Sequence, residues 1–275
     1  MKPLQFHCRE RESLNLGYRR IIELQDIMDS ENIHKRLKEA IGDNNVNFSI
    51  LEDKIDVELQ MDFFDFIKKH KSKFRKFDDL VDITKNLFEK DVEIDEKKMI
   101  FAELSQCVEV EAYRVIEKYV KNNTDNLNEW AKLALQQCRM NLESDLLDEK
   151  QVFISTGLGG KENALRYFSV FFNKEQIPFS KTQKRILKTE IDYTFNNSNC
   201  TIEELNIEDT YVSLLVLIPL KADIKEIFDA SLVEINKMGN FLSENYIITN
   251  VKKLNEKEIL KAIEKKRNDD SNRDE

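Results

Sequence analysis

Hydrophobic residues in the first 147 positions recur at three- and four-residue spacing, which is the pattern of amphipathic helices. Residues 17–43 place Ile21, Leu24 and Ile27 on one stripe, and Gly42 suits the end of that helix. The same spacing predicts further helices at 57–69, 109–122 and 126–147, and two short helices on either side of Glu93. The first half of the chain is therefore predicted to be α-helical.

The period changes after Gln151. The segments "QVFIST" and "LRYFSVFF" are rich in β-branched and aromatic residues, and the glycine-rich loop between them predicts an antiparallel hairpin. The segment "TYVSLLVLIPL" is almost wholly apolar up to Pro219, as expected for a strand buried on both faces. Weaker strands follow at "CTIEELNIED" and "YIITNVKK".

Three helix starts in the second half carry capping signals. Ser180 stands three residues before Gln183, which forms a capping box, and Asp223 and the Asn255–Glu258 pair each precede an amphipathic segment. The order ββαββα that results, with a weaker strand and a final helix, predicts an α+β sandwich with a mainly antiparallel sheet.

The expected organisation is a helical domain at 1–150, an α+β domain at 151–267 and a charged, disordered tail at 268–275. Gly and Pro are scarce around 148–151, so no flexible linker is expected there and the two halves should pack together. Residues 78–147 resemble a HEAT-type helical repeat, since several helices of similar length follow one another with short polar turns. That resemblance implies a curved stack with a binding surface; an irregular helical bundle accounts for the same pattern.

The charge and the cysteine content of the chain limit the functions that it can have. The net charge is −9, from 43 basic and 52 acidic residues. This charge disfavours a protein that coats nucleic acid non-specifically, but it permits a local basic patch. Cys8, Cys107, Cys138 and Cys200 show no metal-binding spacing and are expected to be free thiols. Reduced cysteines and the absence of an apolar leader or membrane-spanning run predict a cytoplasmic protein with no membrane partner.

The loop "STGLGGKEN" at 155–163 holds three of the six glycines. It differs from a P-loop because Glu162 follows Lys161 where a Ser or Thr would bind magnesium, and because a strand pattern follows instead of a helix. Two interpretations stay open: a bulged hairpin loop, or a contact loop whose donors bind a phosphate, a carboxylate or a partner carbonyl. The residues of that predicted contact loop are Gly157, Gly159, Gly160, Lys161, Asn163 and Arg166.

A second candidate binding site is the stretch "FIKKHKSKFRKF". It holds six basic residues within nine positions, interleaved with Phe74 and Phe77, as in segments that follow a nucleic-acid backbone. A solvated helix end, balanced by the acidic residues that follow, is the alternative explanation. The basic residues are Lys68, Lys69, Lys71, Lys73, Arg75 and Lys76.

Catalytic signatures are missing from the sequence. The three histidines, His7, His34 and His70, form no metal or nucleophile motif, so no cofactor, metal or catalytic residue is predicted. The first hypothesis is therefore a non-catalytic scaffold that presents both halves to a protein partner. The second is a protein that binds RNA or a ribonucleoprotein through residues 68–76 and the glycine loop. The third is an enzyme acting on a phosphorylated small molecule at residues 157–166.

Overall fold

The computed structural model describes residues 47–147 and 151–271, with side chains placed for 49–147 and 154–267. The helix predicted at 17–43, together with Cys8, His7 and His34, lies outside the described residues. In the helical half, the described residues form one short strand and five α-helices: β1 (Asn47–Ile50), α1 (Val57–His70), α2 (Phe77–Leu80), α3 (Ile94–Ser105), α4 (Val110–Asn122) and α5 (Asn128–Leu147). Two 3-10 turns, Lys71–Lys73 and Thr84–Phe88, lie between them.

The helices form where the hydrophobic spacing predicts them. Helix α1 begins after Asp56, whose carboxylate accepts a hydrogen bond from the Glu58 amide at 2.8 Å. Its buried face packs on α5, where the ring centroids of Phe63 and Trp130 lie 5.1 Å apart in an edge-to-face arrangement. Before Glu93 the expected short helix is divided between α2 and a 3-10 turn. The buried residues of this half, from Leu51 to Leu142, form one hydrophobic core.

The second half contains six strands and three helices: β2 (Gln151–Ile154), β3 (Gly160–Lys161), β4 (Ala164–Asn173), α6 (Lys181–Asn197), β5 (Thr201–Ile207), β6 (Tyr211–Pro219), α7 (Ile224–Lys237), β7 (Leu242–Thr249) and α8 (Glu256–Ser271). Strands β7, β4, β6 and β5 lie side by side in that order, and every pair is antiparallel. This is the βαββαβ order of a ferredoxin-like sheet. The α+β class predicted from the sequence is thus confirmed.

Helices cover both faces of this sheet. One face packs against α6 and α7 in the larger core, which includes Phe171, Phe195 and Phe228. The opposite face packs against α8, where Ile259 and Ile263 contact Phe168 and its neighbours. Strand β6 is buried from Tyr211 to Ile218, as its almost wholly apolar sequence predicts. Helix α8 continues to Ser271 and so includes the first four residues of the stretch 268–275 that was predicted to be a charged tail.

The hairpin predicted between "QVFIST" and "LRYFSVFF" is wrong. Strand β2 pairs in parallel with β1, about a hundred residues earlier in the chain, with Asn47 opposite Gln151 and Ile50 opposite Ile154. The antiparallel neighbour of β4 at this end is instead the two-residue strand β3, where Gly160 lies opposite Leu165. Strand β1 lacks an alternating pattern long enough to reveal this pairing, so the local sequence pointed to the nearest strand along the chain.

All three predicted helix starts are confirmed. The Ser180 hydroxyl accepts from the Gln183 amide while the Gln183 side chain accepts from the Ser180 amide. Asp223 accepts from the Glu226 amide. Asn255 and Glu258 exchange the same two bonds at the start of α8.

The three described cysteines are free thiols. Burial, assisted by nearby Glu109 and Glu103, raises the pKa of Cys107 to about 12; burial also raises the pKa of Cys138 to about 12 and that of Cys200 to about 11. Each folded pKa exceeds the unfolded value of about 8.5. The contribution of the protonated thiols to the free energy of unfolding is therefore complete below the unfolded pKa and is lost as the pH rises through the folded pKa.

These pKa values predict slow thiol labelling. In a Cys8→Ser variant, the native protein at pH 8 should react with a thiol reagent at least about a hundredfold more slowly than the urea-unfolded protein, because the thiolate fraction is very small. Mass spectrometry of labelled peptides over time measures the rates. Rapid native labelling of Cys107 or Cys138 would contradict the placement of these side chains.

Candidate nucleic-acid interface

The glycine loop connects the two halves of the chain. A Cβ atom at Gly157 would lie 1.7 Å from the Val251 carbonyl oxygen, and one at Gly159 would lie 2.5 Å from that of Asp53. Gly159 also has a φ of 65°, a left-handed conformation that favours glycine. The glycines therefore permit three backbone segments to approach one another closely.

The loop amides are used within the protein. Leu158 donates to the Asn250 carbonyl at 3.0 Å, and Gly160 donates to the Leu51 carbonyl at 2.9 Å. The strand β3 follows directly, so no helix begins at the end of the loop. A P-loop phosphate cradle needs free amides and a helix that follows the loop; here a strand follows, and the amides of Leu158, Gly159 and Gly160 are already bonded within the protein.

Arg166 is also engaged inside the protein. Its Nε and Nη2 donate to the two carboxylate oxygens of Glu203 at 2.5 and 2.9 Å, and its Nη1 donates to the Leu158 carbonyl at 2.6 Å. The hydrogen bond from Arg166 lowers the pKa of Glu203. Among the predicted contact residues, Lys161 and Asn163 are the exposed ones. Ligand binding at this loop stays a prediction that would depend on those two side chains.

The basic stretch at 68–76 is located at the end of α1, in the 3-10 turn after it, and in the residues that lead to α2. All six of its basic residues are exposed, and five of them, the lysines, form no ion pair with an acidic side chain within the described residues. We call these five residues the lysine ridge: Lys68, Lys69, Lys71, Lys73 and Lys76. Residues 68–79 carry six basic and two acidic side chains, so this surface is positive although the whole chain is acidic.

Arg75 differs from the lysine ridge. Its Nε lies 2.9 Å and its Nη2 2.5 Å from the carboxylate oxygens of Glu103, which also accepts from the Arg75 amide at 3.1 Å. The Glu103 side chain is only 1% exposed. Arg75 thus anchors the basic segment to α3. Phe74 and Phe77 are half-buried against the helical core, so these two rings support the surface rather than extend from it.

A groove of about 540 Å³ adjoins the ridge and shares Lys69 with it. Its remaining polar lining consists of Asp62, Asp65, His70, Asp95 and Lys98, and its aromatic lining of Phe66 and Trp130. The sequence analysis did not predict this groove; Trp130, which lines it, is 2% exposed and also belongs to the hydrophobic core of the helical half. The local signal was one face of α1, while Asp95 and Lys98 come from α3 and Trp130 from α5. The residues on that face of α1 are Asp62, Asp65, Phe66, Lys69 and His70.

A second, smaller pocket of about 340 Å³ lies between β1 and α5. Lys132 and Asp53, both in its lining, form an ion pair at 2.6 Å, and Gln136 donates to the Ser49 hydroxyl. These polar groups are satisfied by one another, which makes this pocket a weaker candidate than the groove.

No group of three or more His, Cys, Asp or Glu side chains in 49–147 and 154–267 is arranged to hold a metal ion. Among the described helices, none is both long and apolar enough to cross a membrane.

No protein-family model and no curated protein matches this sequence. Solved structures with a similar fold include one assigned as a transposase from Deinococcus radiodurans, with 16% identity and a TM-score of 0.34, covering 38% of this chain and 93% of that one. Another is a REP-associated tyrosine transposase bound to a REP hairpin, with 10% identity and a TM-score of 0.29, covering 34% of this chain and 60% of that one.

These neighbours correct the first functional hypothesis. The interpretation of this chain as a non-catalytic scaffold for a protein partner is contradicted by this comparison, in which both neighbours are named as transposases and one is bound to a REP hairpin. At such TM-scores the likeness identifies no contact residue in this chain. The interface must therefore follow from its own side chains.

Proposed function

We propose that this protein binds single-stranded nucleic acid, RNA or DNA, by placing the phosphates on the lysine ridge. The observation that carries the proposal is the set of five exposed lysines within nine residues that have no acidic partner among the described side chains. A nucleic-acid strand carries condensed cations around its phosphates, and lysines that neutralise those phosphates release the cations, which contributes free energy to binding.

Because the rest of the chain is acidic, binding of a nucleic acid is restricted to this surface. With a net charge of −9, the protein as a whole repels a nucleic acid, so binding requires the strand to meet the positive segment. The bidentate pair between Arg75 and buried Glu103 holds this segment against α3. The lysines are therefore presented from a fixed backbone, which reduces the conformational entropy lost on binding.

A single strand fits better than a duplex because the groove beside the ridge contains aromatic rings. Phe66 and His70 lie with their ring centroids 4.2 Å apart, and both line the groove next to Lys69. Proteins that bind single strands combine a positive path for phosphates with aromatic rings for unstacked bases. The bases of a duplex would be inaccessible to these rings.

Charge reversal on the ridge tests the proposal. In the triple variant Lys71→Glu, Lys73→Glu, Lys76→Glu, we expect affinity for a fluorescent single strand to fall at least tenfold. The slope of log K against log salt concentration should become shallower by about 2, because each lost phosphate contact removes about 0.7. Fluorescence anisotropy over a range of salt concentrations measures both quantities.

The matched control is Lys174→Glu, Lys221→Glu, Lys225→Glu. These lysines are exposed on the α+β half, and the triple variant changes the net charge by the same amount. If both triple variants lose equal affinity, net charge alone governs binding and the ridge is not the interface. If the wild type shows no salt-dependent binding, the proposal fails.

A further inference from the structure

The groove beside the lysine ridge carries a charge pattern opposite to the ridge. Three exposed carboxylates, from Asp62, Asp65 and Asp95, line it together with the ammonium groups of Lys69 and Lys98. A phosphate entering this groove would meet more negative than positive charge. The groove therefore suits a ligand part that is uncharged and rich in hydrogen-bond donors.

Two aromatic side chains also line the groove. The Phe66 ring stands edge-to-face against Trp130 with centroids 5.5 Å apart, and Lys98 places its Nζ 4.8 Å from the centroid of the indole ring. Phe66 is half-buried whereas Trp130 is 2% exposed, so Phe66 is the ring of this pair that can contact a ligand in the groove. The buried Trp130 Nε1 has no hydrogen-bond partner among the described residues, although a buried indole N–H normally finds one.

His70 contributes a further acceptor. Its Nδ1 lies 2.9 Å from the Phe66 carbonyl oxygen, which can only accept, so Nδ1 carries the proton. In the neutral ring Nε2 then has a free lone pair. Carboxylates and this imidazole nitrogen together favour a ligand that donates N–H groups.

We infer that this groove is a base-binding subsite that selects nucleobases with an exocyclic amino group. This inference rests on the proposed function, since the ridge is what brings a strand to the groove. Cytosine, adenine and guanine carry such an amino group, whereas uracil and thymine do not. A carboxylate accepting from the amino group of cytosine is a recognised base contact. The volume of about 540 Å³ is within the range of small-molecule sites and exceeds what one base requires.

A cationic amine is the competing ligand for a groove with carboxylates and aromatic rings. The three carboxylates would attract a cation, but Lys98 already lies over the indole ring, so a cation would meet like charge at that ring. A base meets no such repulsion, and its acceptor atoms can take hydrogen bonds from those lysines.

Trp130 is the single tryptophan of the chain, so its fluorescence reports on this groove. We expect oligocytidylate of roughly ten nucleotides to change that fluorescence and to bind about tenfold more tightly than oligouridylate of equal length. The variant Asp65→Asn, Asp95→Asn should reduce this preference to less than about threefold without changing the salt slope. The control Asp78→Asn, Asp79→Asn removes two exposed carboxylates outside the groove and should retain the preference.

A nucleoside carries no phosphate, so titration with cytidine and with uridine tests the groove without the ridge. Stronger quenching by cytidine, lost in Asp65→Asn, Asp95→Asn, supports the inference even if the ridge variants behave like their control. Salt-dependent binding of both oligonucleotides with equal affinity and unchanged fluorescence would leave the ridge as interface and overturn the base subsite. Quenching by spermidine stronger than by cytidine would also overturn it, in favour of a cation site.

Discussion

Replacing Gly157 by alanine is expected to destabilise the protein by more than about 4 kcal/mol, a large part of the stability of a typical domain. The new methyl group would lie 1.7 Å from the Val251 carbonyl oxygen and 3.0 Å from Cγ2 of Val57. The nearest obstacle is backbone, so one of two chain segments would have to move. Leu158 would then lose its 3.0 Å hydrogen bond to Asn250. Urea unfolding followed by circular dichroism measures the loss.

Gly239→Ala is the matched control for that substitution. Its Cβ would lie 3.2 Å from the Phe241 ring, which a small side-chain movement can accommodate, and no positive φ is required. We expect a change of less than about 1 kcal/mol. Equal stability of the two alanine variants would show that the loop is not held between the segments at residues 57 and 251.

Replacing Arg75 by alanine is the second large effect that we expect. It leaves the carboxylate of Glu103 with 1% of its side chain exposed and without its partner, and uncompensated buried charges of this kind cost about 3–5 kcal/mol. Thermal and urea unfolding should both show the loss. Lys76→Ala, one residue away and exposed, should change stability by less than about 0.5 kcal/mol.

The double variant Arg75→Met, Glu103→Leu separates the charge from the packing. It removes both partners, so most of the stability lost in Arg75→Ala should return. Failure to recover any stability would mean that the ion pair organises the segment in a way that apolar contacts cannot replace. With the fold intact, the double variant should retain most of its affinity for a single strand, because Arg75 does not belong to the lysine ridge.

Much of the fold was predictable because its signals are local. The apolar run at Tyr211–Ile218 can only be satisfied by burial on both faces, and the structure places it in the middle of the sheet. The capping box at Ser180 and Gln183 depends on residues three positions apart. Helix α1 follows from the spacing of its apolar side chains within four turns.

The sequence failed where a partner lies far along the chain. Nothing in the four residues of β1 indicates that they pair with β2, and the glycine loop was therefore assigned to a hairpin. Arg166 was predicted to contact a ligand, yet the structure pairs it with Glu203, 37 residues away and on a strand that is not its neighbour in the sheet. The basic stretch was recognised, because all six residues lie together in the sequence.

The sequence by itself determined the types and limits of most helices and strands, and it placed a positive segment on an acidic protein, since both depend on residues within a few positions of one another. The tertiary structure alone decided which of those charges remain free. Arg75 lies beside buried Glu103, whereas the five ridge lysines have no such neighbour in the described chain. Packing of α1, α3 and α5 also created the groove around Trp130, because its lining comes from three helices that no local pattern brings together.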